Sequence, residues 1–555
     1  MKRYLHFILT LAVFVSLIGC SGNSRVLTEE EQAISDELKS KYKSADYLVF
    51  DGDTLMASSE VLSFYQTNDF QPIWIVDNKL NDKGEVLYDL IKNARHHGFM
   101  PEMFNYSLIR ETKNTSILDA EMILSNGFLL YVSHMDAGCV DPTTGNYTWK
   151  KDSLDFDLIA ELDKVREGSD PAEVILAHQP ENWEYKQLQT GLVQFLDTYT
   201  LDTMTYDIPA FKEDSVKCYH AAHEALIGHG YLDASISDKD SNFIHELKKF
   251  QKLNGLLDDG IVGKWTGRAL NESNNERFYH AAISMEKWRW KKKPYPAKYI
   301  RVNIPEFTLY FFDSTQLKSK HKVIVGAYDT QTPEFHASME RMITNPFWHV
   351  PYSIASTEIL YGARKDSAYF SKRGYKVFKD GQQIDPTAVD WSGVGTNSFT
   401  YRVRQDGGAG NSLGKIKFLF PNVHSVFIHD TPTKRLFEND VRAYSHGCIR
   451  LHRPFDLAKS ILSSEVNAME ADTLDSLVYR GTQRVIELKD PFEVYIEYFT
   501  VTGDSSGNVI FHPDIYGRDK KYIDNAYKKF YLPDDQTPDS EEDQQVAEDS
   551  PIRKD

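Results

Sequence analysis

The chain begins with an apolar run from Leu5 to Ile18, preceded by Lys2 and Arg3 and closed by Leu17-Ile18-Gly19-Cys20. That run is too short for a comfortable membrane span. A charged head, a short apolar stretch and small residues at its end read instead as an export signal over residues 1–19. Polar and charged residues follow, with helical spacing only in 29–43, a pattern that suits a tether over 20–45. Beyond it apolar positions recur at helical intervals, at Leu87, Leu90, Ile91 and Ala94 before Gly98, and again from Ala120 to His134. Residues 46–212 are therefore expected to form a mainly helical domain. Its Trp74, Trp149 and Trp183 are expected to serve packing more than sugar stacking.

Residues 213–275 read as a compact unit of three short helices with a turn at Asp258-Asp259-Gly260. Phe250-Gln251, Asn254-Gly255-Leu256, Asp259-Gly260-Ile261-Val262-Gly263 and Thr266 resemble the small three-helix peptidoglycan-binding module of bacterial wall enzymes. After Trp288-Arg289-Trp290 the pattern changes to β-branched and aromatic strands, beginning with Tyr299 to Ile304 and Phe307 to Phe311. Strands recur at Val323-Ile324-Val325, Phe418 to Phe420 and Ser425 to Ile428. Between Trp348 and Trp391 lies a long polar-aromatic insertion with Tyr361, Tyr369, Phe370 and Tyr375, expected to act as a lid over about 349–391. The expected fold class is multidomain α+β, with a β-rich domain over 276–480, a β extension over 481–530 and an acidic, disordered tail over 531–555.

Composition narrows the class of partner. With 63 Lys plus Arg against 81 Asp plus Glu, a net charge of −18, the chain is not expected to bind nucleic acid. Leu17-Ile18-Gly19-Cys20 resembles a bacterial lipobox, which implies acylation of Cys20 and attachment to a membrane through acyl chains. Cys139 and Cys218, in apolar or mixed helical surroundings, read as small buried hydrophobes or a mutual disulfide. Cys448 has a different setting.

It sits in Ser445-His446-Gly447-Cys448-Ile449-Arg450, downstream of His429-Asp430-Thr431-Pro432. Acyl transfer by a thiol needs a thiolate, a base within reach and donors for the oxyanion, and this window can supply all three. His429 directly follows the apolar run Val426-Phe427-Ile428, so a strand fixes its position. Gly447 permits unusual backbone angles, so the amides of Gly447 and Cys448 could converge on one oxygen. Zinc ligation by Cys448, His446, His429 and His452 is the rival chemistry, disfavoured by the lack of a second nearby Cys.

A His at a strand end followed by Ser-His-Gly-Cys-Ile-Arg resembles the signature of the L,D-transpeptidase catalytic domain, also called YkuD-like. Met285 to Trp290, Val302 to Pro305, Trp348-His349-Val350-Pro351, Asn411 to Lys415 and Phe420-Pro421-Asn422 resemble the long, multidomain periplasmic branch. His429-Asp430 departs from the His-Gly of many relatives, and Gly408-Ala409-Gly410 from a proline-containing lead. The resemblance implies Cys448 as nucleophile and His429 as general base, with Ser445, His446, Gly447 and Arg450 completing the oxyanion site and pocket. Trp348, Tyr369 and Asn411 are expected to contact the substrate. It further implies tetrapeptide stems of peptidoglycan as donor and acceptor, 3→3 cross-links as product, no metal or organic cofactor, and a lipoprotein in the periplasm. An L,D-carboxypeptidase using the same pair, or a non-catalytic wall-binding scaffold, are the competing readings. The sequence names no protein partner.

Overall fold

The computed structural model describes residues 27–145, 154–291, 294–366, 368–408, 410–465 and 471–527. The expected export signal over 1–19, Cys20, Trp149, Ala409 and the expected tail over 531–555 lie outside the described residues. The N-terminal body is built around the helix Ile117–Ala137, buried over nearly its whole circumference, as its sustained apolar sequence requires. Among the described residues no helix is long and apolar enough to cross a membrane. Glu121 of this helix is fully buried yet satisfied, accepting from the Ile73 amide at 2.5 Å, the Trp74 amide at 3.0 Å and the Tyr65 hydroxyl at 2.5 Å. Burial pushes its carboxyl up to about 7. Trp74 is a core residue whose indole N–H donates to Ser125 Oγ, whereas Trp183 is exposed.

Two expectations about segment boundaries are corrected here. Residues 29–42 are not tether: the helix Glu29–Tyr42 has a Thr28–Glu31 capping box and buries Ile34, Leu38 and Tyr42 in the helical core. The helix Asn274–Trp290, assigned from sequence to the β-rich domain, is likewise buried in that core along most of its length. So is the segment 499–527, where Phe499, Val501, Val509, Phe511, Tyr522 and Tyr527 join the same cluster. Segments so rich in large apolar groups need a partner surface, and the helical body supplies it.

The helices Ser215–Gly228, Ser241–Leu253 and Lys264–Leu270 form a small separate core around Cys218, Leu226, Phe243, Leu247 and Phe250. Cys139, Cys218 and Cys448 are all free thiols, so the mutual disulfide is not formed.

The β-rich domain is one sheet. Its strands are β1 Tyr299–Asn303, β2 Thr308–Asp313, β3 Gln316–Gly326, β4 Phe335–Thr344, β5 Ile416–Leu419, β6 Ile428–His429, β7 Ala443–Ser445, β8 Ile449–Leu451 and β9 Arg484–Glu497. They lie in the order β7-β3-β8-β6-β5-β4-β9-β1-β2, and an added β2–β3 pairing closes the sheet on itself. β9, placed by sequence in an extension, runs through the middle of the sheet, because Ile486, Leu488, Phe492, Val494 and Ile496 fill its interior.

The insertion between β4 and β5 folds on its own core of Ile359, Leu360, Phe370, Val377, Trp391, Phe399 and Val403. Four short strands stiffen it, and the last, Arg402–Gln405, pairs with Trp348–His349. It therefore reaches beyond the expected 349–391.

Candidate active site

Pairing across the sheet decides which side chains meet. β6 and β8 are parallel neighbours with Ile428 opposite Ile449 and His429 opposite Arg450. Ile428 and Ile449 point into the core, so alternation sends His429, Arg450 and Cys448 to the opposite, open face. β5 adds Lys417 directly opposite His429, on that same face. A row of Lys417, His429 and Arg450 thus crosses three strands beside the thiol.

His429 is buried, and its Nδ1 lies 2.5 Å from the Asp430 carbonyl oxygen. A carbonyl can only accept, so Nδ1 carries the proton and Nε2 is left with a free lone pair. Burial draws the imidazole down to about 4, so the ring is neutral at pH 7 and suited to act as a base. The half-buried Cys448 thiol points at the Ser425 carbonyl oxygen 3.8 Å away rather than at the imidazole. Burial raises its pKa, against the opposing pull of the Phe427 backbone, Lys417 and Arg450. The pair is a neutral thiol and a neutral imidazole on adjacent strands of one face.

The turn before the thiol is tied from within and from behind. Ser445 Oγ donates to the Cys448 carbonyl at 2.5 Å and accepts from the Gly447 amide at 3.2 Å. Gly447 takes φ 103°, where a side chain would be strained. Its amide is taken up by Ser445 Oγ in this structure. The Cys448 amide is the one left without a partner among the described residues. Thr332 Oγ donates to the Gly447 carbonyl and Thr330 Oγ to the Ser445 carbonyl, each at 2.8 Å. Neither threonine carries a sequence signal that would have singled it out.

His446 turns away from the thiol, and its Nε2–H donates to the Glu358 carboxylate of the insertion. Asn411 is not presented to substrate. It is buried, its Nδ2 donating to the Pro346 and Asp406 carbonyls at 3.0 and 2.9 Å and its Oδ1 accepting from the Leu413 amide at 2.7 Å. It pins the loop entering β5. Tyr369 packs across Gly362, which leaves no room for a side chain there, and stacks on Tyr375 at 6.2 Å. Trp348 leans on Tyr375 at the same spacing, 6.2 Å, and stays half-exposed, as does Tyr369. Asp430 accepts from the Lys415 amide at 2.9 Å and from Lys434 Nζ at 2.5 Å, closing Gly414 against β6. Lys417 is the residue of this face that sequence reasoning missed. Its position in Ile416-Lys417-Phe418-Leu419 looks like any solvent-facing place in a strand.

Residues 59–192 match a family described as the scaffold domain, and residues 297–486 match the L,D-transpeptidase catalytic domain. A Haemophilus influenzae protein whose name places it provisionally among the L,D-transpeptidases is 32% identical over 223 residues. The match covers 40% of this chain and 45% of that relative, so it spans under half of either.

Proposed function

From a chain that carries an L,D-transpeptidase catalytic domain, we propose a cysteine acyltransferase that joins peptidoglycan stems by 3→3 cross-links. The observation that carries this reading is the shared open face of Cys448 and His429, with the imidazole's free lone pair set by the Asp430 carbonyl. His429 Nε2 takes the thiol proton as Sγ attacks the carbonyl joining the third stem residue to the terminal D-alanine. The C–N bond breaks, the imidazolium returns its proton to the leaving amine, and D-alanine departs from a thioester. The side-chain amine of another stem then attacks the thioester carbonyl, gives its proton to His429 and frees the thiol. The Cys448 amide is the donor available to the oxyanion at both stages.

Incubating the full chain with disaccharide-tetrapeptide should give an intact-mass increase on Cys448 and cross-linked dimers. Cys448→Ala should lower dimer formation by at least about a thousandfold, while Cys139→Ala and Cys218→Ala keep it. Only tripeptide and D-alanine, without dimers, would make the enzyme an L,D-carboxypeptidase. The same reading places the protein in the periplasm, held to a membrane by lipid on Cys20. Cys20→Ser should then release it into the soluble fraction, and continued membrane fractionation of that variant would refute the anchor.

A further inference from the structure

Three cations buried elsewhere have acidic partners, Lys287 with Asp519 at 2.6 Å, Arg289 with Glu286 at 2.9 Å and Arg518 with Glu334 at 2.8 Å, while buried Arg442 donates to the Val323, Asn439, Asp440 and Phe307 carbonyls. Lys417 and Arg450 stand beside the thiol. Both are half-buried on the open face, and among the described residues no carboxylate lies within ion-pair reach of either. The nearby carboxylate, Asp430, is already spent on Lys434 and the Lys415 amide. Lys417 Nζ lies 5.5 Å from the centre of the Phe427 ring, whose strand position is next to Cys448. Desolvation lowers the pKa of both cations, opposed by the Cys448 thiolate but by no carboxylate, so burying them carries a cost while the thiol is neutral. In a chain of net charge −18, a pair of unmatched cations flanking a nucleophile is a receptor for an anion.

We propose that Lys417 and Arg450 bind the free carboxylate of the residue that leaves, and so select donors ending one residue beyond the scissile bond. The assignment rests on the donor reading given above. In such a donor the terminal carboxylate lies within about 5 Å of the attacked carbonyl carbon, which puts it beside Cys448 when that carbon meets Sγ. Arg450 offers a planar fork and Lys417 a point charge. A longer stem, or one capped as an amide, would leave both cations buried and unmatched.

The test compares two disaccharide-tetrapeptides, one ending in D-alanine and one in D-alaninamide, by the rate of acyl-enzyme formation on the full chain. The wild type should prefer the acid at least about tenfold. Lys417→Met and Arg450→Gln should each bring the ratio towards one, with Lys417→Arg restoring it. If both donors slow by the same factor and the pH dependence of Cys448 alkylation by iodoacetamide moves upward, the cations serve the thiol alone and the subsite is wrong. Protection of Cys448 from iodoacetamide by N-acetyl-D-alanine reads the subsite without turnover. It should be absent with the amide and lost in Lys417→Met. Protection by the acid in a wild type that forms no acyl-enzyme would sink the cross-linking function and leave the subsite standing. Equal protection by acid and amide would overturn the subsite.

Discussion

At the scale of single residues, the proposed base His429 sets the expected pH behaviour. Its imidazole is drawn down to about 4 by burial, so it binds a proton only in acid and loses its capacity as a base there. kcat/KM for acylation should be level near neutrality and fall through a midpoint near 4, well below the limb of about 6.5 that an ordinary solvated histidine would give. A measured limb near 6.5 would mean that the ring is hydrated in the working enzyme. Cys448 and His429 could be singled out from the sequence because a thiol, a strand-end histidine and a glycine in one window have few structural reasons to coincide, and the sheet register sets them side by side. Lys417 could not, since its significance comes from a partner strand far along the chain and only register reveals it. Asn411 misled for the opposite reason: beside Gly408 and Gly410 an asparagine can serve a ligand or close a turn, and here four backbone groups bond its amide.

Among the elements, the insertion is where sequence patterning was least informative about placement. Its aromatic residues marked it as more than filler, yet one of them, Phe370, is wholly buried in the insertion's own core. Short strands and single helical turns lack a sustained period, so the fold of this segment is set by tertiary packing. The π-helical turn Ala355–Ile359 brings Glu358 to His446 of the nucleophile's own motif. That contact is the direct link between insertion and catalytic turn that a water-excluding lid would use. Both partners are partly exposed, at 40% and 60%, so the contact is worth at most about 1 kcal/mol. Glu358→Gln should therefore shift the ratio of cross-link to hydrolysed stem toward hydrolysis by about fivefold or less. Phe370→Ala, which removes the insertion's central ring at about 3–5 kcal/mol, should shift it much further while Cys448 still reacts with a small thiol reagent. Equal losses of cross-linking and D-alanine release in both variants would show that the insertion does not keep water from the thioester.

Across the whole molecule, the helical body and the sheet are joined by two segments that the chain's linear order conceals. The helix Asn274–Trp290 lies in the helical core, and its Lys287 Nζ donates to the Tyr498 carbonyl at 2.7 Å and to Asp519 at 2.6 Å. From Tyr498 the C-terminal segment reaches the catalytic turn. The Tyr516 hydroxyl donates to the Gly326 carbonyl and accepts from the Thr332 amide, and Thr332 in turn holds Gly447. Motif and period could assign each unit its class, but not the return of the chain to the helical body after β9, because that depends on which apolar surfaces were still uncovered. The joint has a buried electrostatic centre in which Glu286 accepts from Arg289 and from the Cys139 and Val140 amides, with both charged side chains fully inaccessible. Glu286→Ala leaves the Arg289 guanidinium buried with only the His97 carbonyl and the Tyr185 hydroxyl as partners. The expected loss is about 3–5 kcal/mol. Because the scaffold and the catalytic turn share this framework, urea unfolding followed by tryptophan fluorescence and by Cys448 reactivity should give coincident transitions, both moved to lower denaturant in the variant by the same amount. A fluorescence transition that shifts while the exposure of Cys448 does not would show that the two bodies unfold independently, and that the helix is a connector rather than a common core.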